Sequence, residues 1–131
     1  MLSQRTLIKI CTEQARLSDN RHRLGAVIYN KNVIISTDHN YSMRSAKNLH
    51  PRYYRWEGSV HAEAATILSA RCDLKGSSMF LLRINRKEEF LLAKPCRHCM
   101  TFMYHVGVRK VTYSTNDGFE TIEIKMICVS V

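Results

Sequence analysis

The stretch SVHAEAATILSARC, residues 59–72, combines the start of a helix with two side chains that carry chemistry. Its apolar residues recur at helical spacing, which predicts a helix over residues 61–71. His61 and Glu63 lie at the beginning of that helix, where the partial positive charge of the backbone favours acidic groups. A glutamate at this place is common in helices, so its meaning depends on what else the chain brings near it.

The stretch AKPCRHCMTFMYHVGVRKVTYST, residues 93–115, predicts a second helix with two cysteines in its first turn. Proline is favoured as the first helical residue, so we expect this helix to begin at Pro95. Glycine is favoured just past the last turn, so we expect Gly107 to end it. Cys96 and Cys99 are three positions apart and project from the same face. The helix N-terminus stabilises their thiolates.

His61, Cys96 and Cys99 together predict a zinc site. If the two helices lie side by side on one sheet, their first turns approach a common point. Structural zinc sites are closed by four protein ligands, whereas catalytic sites have three and keep a position for water. A redox dithiol is the alternative meaning of Cys-x-x-Cys, but it belongs to a βαβ setting that this chain lacks at its start. We interpret the other histidines as ordinary surface or core residues: His22, His39, His50, His98 and His105.

Glu63 gives this site a predicted catalytic function. It lies two residues from His61, near enough to reach a water in the open position of the metal. Two thiolates neutralise much of the zinc charge, so the metal lowers the pKa of its bound water less than a three-histidine site does. A nearby carboxylate that accepts the proton of this water therefore helps the water to react. The same carboxylate then delivers one proton to a ring nitrogen and one to a leaving ammonia, acting first as base and then as acid.

The rest of the chain predicts an α/β fold, with a mixed five-stranded sheet and helices on both faces, in one domain over residues 1–131. Asn-Lys-Asn between two apolar runs indicates an antiparallel hairpin. Thr-Asn-Asp-Gly at residues 115–118 indicates a second hairpin, which makes the last strand antiparallel. We predict a first helix over residues 4–17 and strands over residues 24–30, 32–37, 78–84, 108–114 and 119–131.

Composition sets limits on location and partners. The five cysteines are an odd number, no secretory signal is recognisable, and no apolar run is long enough to span a bilayer. We therefore expect a reducing, cytoplasmic location without membrane contact. We interpret Cys11, Cys72 and Cys128 as small core residues. The formal net charge of +9 favours anionic partners such as phosphorylated small molecules or nucleic acid.

Residues 38–58 are predicted to form a long loop in which basic and aromatic side chains are interleaved. Cations bind phosphate and flat rings stack on bases, so this loop either faces a nucleotide ligand or is a solvated cover for the core. The sequence leaves both interpretations open. The residues concerned are Tyr41, Arg44, Lys47, Arg52, Tyr53, Tyr54, Arg55 and Trp56.

The combination of HAE at residues 61–63 with PCRHC at residues 95–99 resembles the zinc-dependent cytidine and deoxycytidylate deaminase superfamily, whose signature is H-x-E followed by P-C-x-x-C. RHRLGAVIYNKNVIIST resembles the first hairpin of that family, and HVGVRKVTYST resembles the segment after its second zinc helix. The resemblance covers about residues 5–115. It implies a three-layer cytidine deaminase-like fold, a Zn²⁺ cofactor, a homo-oligomer, and an enzyme similar to the dCMP deaminases, of viral or phage type.

The resemblance also implies a reaction and the residues that perform it. The reaction is hydrolytic deamination of a cytosine base in a free (deoxy)nucleotide such as dCMP, giving uracil and ammonia. Zinc would bind the three ligands named above, and Glu63 would move the proton. Four residues would surround the substrate: Ala62 with its backbone N–H on the base carbonyl, Asn40 on the sugar, Ala26 in the wall of the base pocket and Tyr113 stacked near the base.

Two departures from the family pattern leave alternatives open. DHNY stands at residues 38–41, where deoxycytidylate deaminases often carry Gly-Tyr-Asn-Gly, and the final hairpin is similar to that of the free-nucleoside branch. A second hypothesis is a polynucleotide deaminase that acts on cytosine in single-stranded DNA or RNA, which the basic and aromatic loop favours. A third hypothesis, of another class, is an inactive zinc domain that binds nucleic acid, and the intact Glu63 argues against it.

Overall fold

A computed structural model of the chain describes residues 2–41 and 61–125, which form a six-stranded mixed sheet and three helices. The helices are α1 (Gln4–Arg16), α2 (Ala62–Ser69) and α3 (Arg97–Val106). The strands are β1 (Arg23–Asn30), β2 (Val33–His39), β3 (Ser78–Ile84), β4 (Phe90–Leu91), β5 (Lys110–Thr115) and β6 (Gly118–Glu123). The predicted α/β fold is confirmed. The predicted count of five strands was one too low, because β4 has only two residues and shows no periodic pattern.

The strand order is β2-β1-β3-β5-β6, and β4 pairs with β3 outside this path. Both predicted hairpins are present, since β1 is antiparallel to β2 and β5 is antiparallel to β6, while β3 and β5 are parallel. β2 extends two residues beyond its predicted end to His39, because its last residues pair with Gly25 and Ala26. β6 ends at Glu123, and the predicted strand residues 126–131 lie outside the described residues.

Alternating side chains along β3 divide the core into two layers. Phe80 and Leu82 pack in one cluster with the buried side of α1, whereas Met79 and Leu81 pack in another cluster with α2 and α3. The sheet therefore has helices on both faces, which makes the arrangement three-layered as expected. At 13 residues α1 is the longest described helix, and none of these helices is long and apolar enough to cross a bilayer.

The three cysteines predicted to be core residues have different outcomes. Cys11 is fully buried, and its thiol donates to the carbonyl of Phe80 at 3.3 Å. Cys72 is exposed, so its prediction was wrong. The helix expected to reach residue 71 ends at Ser69, and the chain has left the core by residue 72. Cys128 lies outside the described residues.

Gly25 marks a close approach between α1 and the sheet. A Cβ at this position would collide with the backbone carbonyl of Cys11 and would lie 2.8 Å from the backbone nitrogen of Ala15. Because these are backbone atoms of a packed helix, we expect Gly25→Ala to lower the free energy of unfolding by about 3 kcal/mol, measured by urea denaturation. In the control Gly76→Ala, a Cβ meets no atom within 4 Å, and the φ of +79° should cost about 1 kcal/mol. Equal losses in both variants would contradict a steric origin.

Candidate active site

The three predicted metal ligands converge at the N-termini of α2 and α3. His61 is the N-cap residue of α2, Cys96 is the N-cap residue of α3, and Cys99 lies in the first turn of α3. This corrects the predicted helix start at Pro95. Cys96 has an extended backbone and its sulfur accepts the N–H of Cys99 at 3.4 Å, so Arg97 is the first helical residue. Such an N-cap acceptor pairs with a backbone N–H that the helix itself leaves without a partner.

The distances between the ligand atoms fit tetrahedral zinc. Nδ1 of His61 lies 3.7 Å from Sγ of Cys96 and 3.4 Å from Sγ of Cys99. Zn–S bonds of about 2.3 Å and a Zn–N bond of about 2.0 Å at the tetrahedral angle require about 3.5 Å between nitrogen and sulfur. In the described part of the chain, no further His, Cys, Asp or Glu joins this group, whose ligand atoms all lie within 4.8 Å of one another. The described residues therefore supply three of the four ligands of a tetrahedral site.

The two thiols of this group are coupled. The hydrogen bond with Cys99 lowers the pKa of Cys96 well below that of an ordinary thiol, and His61 contributes in the same direction. The same hydrogen bond, followed by burial, raises the pKa of Cys99. Both cysteines would bind Zn²⁺ as thiolates, because a coordinated thiol is deprotonated.

Glu63 is the buried acid beside these ligands, with 4% of its surface exposed. Burial raises the pKa of its carboxyl, while its own backbone N–H and the nearby His61 act in the opposite direction. The carboxyl also hydrogen-bonds with the thiol of Cys99. Acidic side chains are almost never buried to this degree without a partner or a function, and a raised pKa suits a group that accepts and returns a proton.

A cavity of about 380 Å³ opens beside the metal ligands. Its volume is typical of sites that bind small molecules. His61, Glu63 and Cys96 contribute to its wall, and apolar wall is supplied by Leu24 from β1 and by Leu92, which follows β4. The cavity therefore combines a metal site, an acid and an apolar surface within one small volume.

Two of the four predicted substrate contacts lie at the cavity wall, namely Asn40 and Ala62. Ala62 is the first residue of α2, a position whose N–H has no acceptor within the helix. Ala26 is fully buried in the core layer that contains α2 and α3. Tyr113 is buried in the same layer, where its hydroxyl donates to Glu120 at 2.9 Å. The structure does not bring Ala26 or Tyr113 to the described cavity wall, since both side chains are packed in the core.

The amide of Asn40 organises the rim of the cavity. Its Oδ1 accepts the hydroxyl of Ser18 at 2.6 Å and the N–H of Leu24 at 3.0 Å, and its Nδ2 donates to the carbonyl of His22 at 2.5 Å. These bonds hold residues 18–24 against the end of β2. An amide nitrogen has two hydrogens, so one donor of Asn40 remains for a ligand.

Two residues of the cavity wall, His22 and Arg83, were missed from the sequence. His22 was interpreted as an ordinary histidine, but its Nδ1 lies 2.7 Å from a terminal guanidinium nitrogen of Arg83. The available signal for Arg83 was a single charged residue in the otherwise apolar strand SMFLLRI. His98 and His105 are exposed as expected, His39 is half-buried, and His50 and the basic and aromatic residues 44–56 lie outside the described residues.

A protein-family model matches most of the chain, including all the metal ligands and Glu63. The family model described as the cytidine and deoxycytidylate deaminase zinc-binding region matches residues 1–115. The chain belongs to this deaminase family. Membership in the deaminase family and the His–Cys–Cys group together identify Zn²⁺ as the cofactor, and the family and fold are those of a zinc-dependent cytidine deaminase-type enzyme.

Solved structures of deaminases resemble the chain in fold. The dCMP deaminase from the cyanophage S-TIM5 in apo form is 19% identical, with 83% of this chain and 79% of that chain covered and a TM-score of 0.62. The same enzyme in complex with dCMP and dUMP is 17% identical, with 86% and 83% covered and a TM-score of 0.57. Cytidine deaminase from Burkholderia pseudomallei is 13% identical, with 94% of each chain covered and a TM-score of 0.63. Identities this low show a shared fold alone, and no curated protein matches the sequence.

Proposed function

We propose that this protein is a hydrolase that deaminates the cytosine base of a free (deoxy)nucleotide such as dCMP, giving the uracil nucleotide and ammonia. The observation that carries the proposal is the convergence of His61, Cys96 and Cys99 beside the buried Glu63 at the wall of one cavity. These three ligands would hold Zn²⁺, which supplies an activated water when bound.

Glu63 is the residue that moves protons in the proposed reaction. Its carboxylate accepts a proton from the attacking water and delivers it to N3 of the base, while the water oxygen forms a bond to C4. It then carries the remaining hydroxyl proton to the amino group. The C4–N bond breaks, ammonia leaves and C4 becomes a carbonyl, so the sum is cytosine plus water giving uracil plus ammonia. One buried carboxyl thus acts as base and then as acid.

Ala62 and Asn40 are assigned to substrate orientation. The backbone N–H of Ala62 donates to the carbonyl oxygen of the base, and the remaining amide hydrogen of Asn40 donates to the sugar. Leu24 and Leu92 offer apolar contact to the base and limit the water that enters. For Ala26 and Tyr113, contacts to the base remain predictions from the family resemblance.

The choice of a free nucleotide rests on two supports. The cavity has the volume of a small-molecule site, and one of the similar structures is a dCMP deaminase in complex with dCMP and dUMP. The alternative of a polynucleotide substrate depends on basic and aromatic residues that, except for Tyr41, lie outside the described residues.

A panel of substrates tests the proposal. The zinc-loaded protein is incubated separately with dCMP, deoxycytidine and a cytosine-containing single-stranded oligonucleotide, and the products are separated by liquid chromatography. We expect dUMP to form with the highest kcat/KM of the three reactions. Conversion of the oligonucleotide alone would contradict a free-nucleotide substrate. No conversion of any substrate by zinc-loaded protein would favour the inactive zinc domain.

We further propose a single domain over residues 1–131, a reducing cytoplasmic location and self-association. The described cysteines, Cys11, Cys72, Cys96 and Cys99, are all free thiols, which supports a reducing compartment. Self-association rests on the family resemblance, and light scattering coupled to size-exclusion chromatography measures it directly.

A further inference from the structure

The cavity that contains the metal ligands also contains a basic corner, defined by the cations Arg83 and Lys94 together with His22. Arg83 continues the row of side chains on β3 that includes Met79 and Leu81, because every second residue of a strand faces the same side. Those two residues are buried in the core layer with α2 and α3. Two positions after Leu81, the same row reaches the cavity wall, where the side chain is that of Arg83.

The backbone of Arg83 is fixed from three directions. It pairs with Leu24 of β1 and with Leu91 of β4, and its N–H donates to the hydroxyl of Ser114 at 3.0 Å. The neighbouring rim is fixed as well, since the N–H of His22 donates to Oδ1 of Asn20 at 3.0 Å. The backbones of Arg83 and His22 are therefore held in place by the sheet and the rim before any ligand enters.

The guanidinium of Arg83 has a hydrogen-bond donor that no described residue uses. One terminal nitrogen lies 2.7 Å from Nδ1 of His22. An arginine side chain only donates, so this ring nitrogen is the acceptor. Nε of Arg83 is buried and has no hydrogen-bond partner among residues 2–41 and 61–125. A buried charged donor without an acceptor costs free energy, and an anionic ligand in the cavity would supply the acceptor.

The charges around the cavity favour an anion. Among the described residues that line it, Glu63 is the single acid, against the cations Arg83 and Lys94. The thiolates of Cys96 and Cys99 would offset the charge of a bound Zn²⁺. A guanidinium presents Nε and a terminal nitrogen as a planar fork that matches two oxygens of a phosphate, and an ammonium adds a second point charge.

We propose that Arg83, supported by Lys94, binds the phosphate of a nucleoside 5′-monophosphate. The inference rests on the proposed function and names the substrate group that this corner selects. A phosphate monoester carries close to two negative charges at neutral pH, which matches the two cations, whereas a backbone phosphodiester carries one. Arg83 thereby distinguishes a free nucleotide from a nucleoside at the same catalytic centre.

The first test measures kcat/KM for dCMP and for deoxycytidine in parallel. Arg83→Met is expected to lower kcat/KM for dCMP about 10- to 100-fold, with the value for deoxycytidine unchanged. Lys94→Met, at an exposed position, is expected to lower it about 2- to 5-fold. Lys110→Met is the control, since Lys110 is an exposed cation that pairs with Ser78 at the other end of β3, about 16 Å from Arg83 along the strand. Its kcat/KM should equal that of the wild type.

The second test measures binding of the products dUMP and deoxyuridine by calorimetry. Arg83→Met should weaken the binding of dUMP about 10- to 100-fold and leave the binding of deoxyuridine unchanged. Arg83→Lys should fall between the wild type and Arg83→Met, because it keeps the charge and loses the fork. Equal losses for both products, or equal kcat/KM for dCMP and deoxycytidine in the wild type, would overturn the inference. If Arg83→Met does not fold, an unchanged dUMP affinity in Lys94→Met would overturn it instead.

Failure of the proposed function would give a different experimental result from failure of the phosphate site. A wild-type protein that converts neither dCMP nor deoxycytidine would refute the deaminase proposal. The same protein binding dUMP more tightly than deoxyuridine, with the difference lost in Arg83→Met, would still support the phosphate site.

Discussion

Replacing Glu63 by alanine is expected to lower kcat for cytosine deamination by about 10²- to 10⁴-fold while the zinc content stays at the wild-type value. The carboxyl is buried at the cavity wall beside the thiol of Cys99. In the proposed reaction it carries one proton to the ring and another to the leaving ammonia, and alanine carries neither. The ligands stay in place because the two helix N-termini position them. Ammonia release measures kcat, and mass spectrometry of the metal measures zinc.

Two further variants separate proton transfer from other effects of this substitution. Glu63→Gln keeps the size and polarity of the side chain but cannot accept the proton, so its loss of kcat should match that of Glu63→Ala. Glu123→Gln is the matched control, since Glu123 is exposed on β6 and its carboxylate lies 3.6 Å from Nζ of Lys125. We expect it to keep the wild-type kcat. If Glu63→Gln keeps more than about a tenth of that kcat, Glu63 is not the proton carrier.

Cys99→Ala is expected to abolish zinc binding and to lower the Tm by about 10 °C. Cys99 is 3% exposed and lies in the first turn of α3, where it provides one of the three ligands. Zinc bound to the folded state stabilises it by mass action, and apparent binding free energies at zinc sites are large. Removing one thiolate leaves two protein ligands, which is too few to retain the metal against dialysis. Metal analysis and thermal unfolding measure the two effects.

The chain itself offers matched controls for this loss. Cys72→Ala removes an exposed thiol and should change neither zinc nor Tm. Cys11→Ala removes a fully buried thiol from the other core layer, so it should lower the Tm moderately and keep zinc. A chelator should bring the wild-type Tm down to that of Cys99→Ala and leave Cys99→Ala unchanged. Full zinc occupancy in Cys99→Ala would exclude this cysteine as a ligand.

The helices and strands that were predicted correctly are those whose residues show a hydrophobic period. α1, β1 and β3 have alternations or helical spacing that local sequence reveals, and the Asn-Lys-Asn and Thr-Asn-Asp-Gly turns indicated both hairpins. β4 was missed because two residues cannot display a period, and its pairing with Arg83 and Ile84 is a tertiary contact. α3 begins at Arg97, two positions after the predicted Pro95, because Cys96 has an extended backbone and is the N-cap residue, with its sulfur accepting the N–H of Cys99.

The candidate site also has residues that the sequence predicted and residues that it did not. The ligands and Glu63 were predicted because two short motifs keep all four residues at the N-caps or in the first turns of two helices. His22 and Arg83 lie 61 positions apart and become neighbours through the pairing of β1 with β3. Asn40 was expected to contact the sugar, and its bonds to the rim could not be foreseen because they depend on where residues 18–24 return to the sheet.

By itself the sequence determined the set of metal ligands and most of the helices and strands, because ligand type, ligand spacing and hydrophobic period are properties of short segments. The tertiary structure alone decided which charges share the cavity with the metal. Arg83 contacts His22 and lines the same cavity as Lys94 because β3 pairs with both β1 and β4, and the order of strands in a sheet depends on contacts between distant parts of the chain. The metal ligands are thus readable along the chain, whereas the charges that lie beside them depend on how the strands assemble.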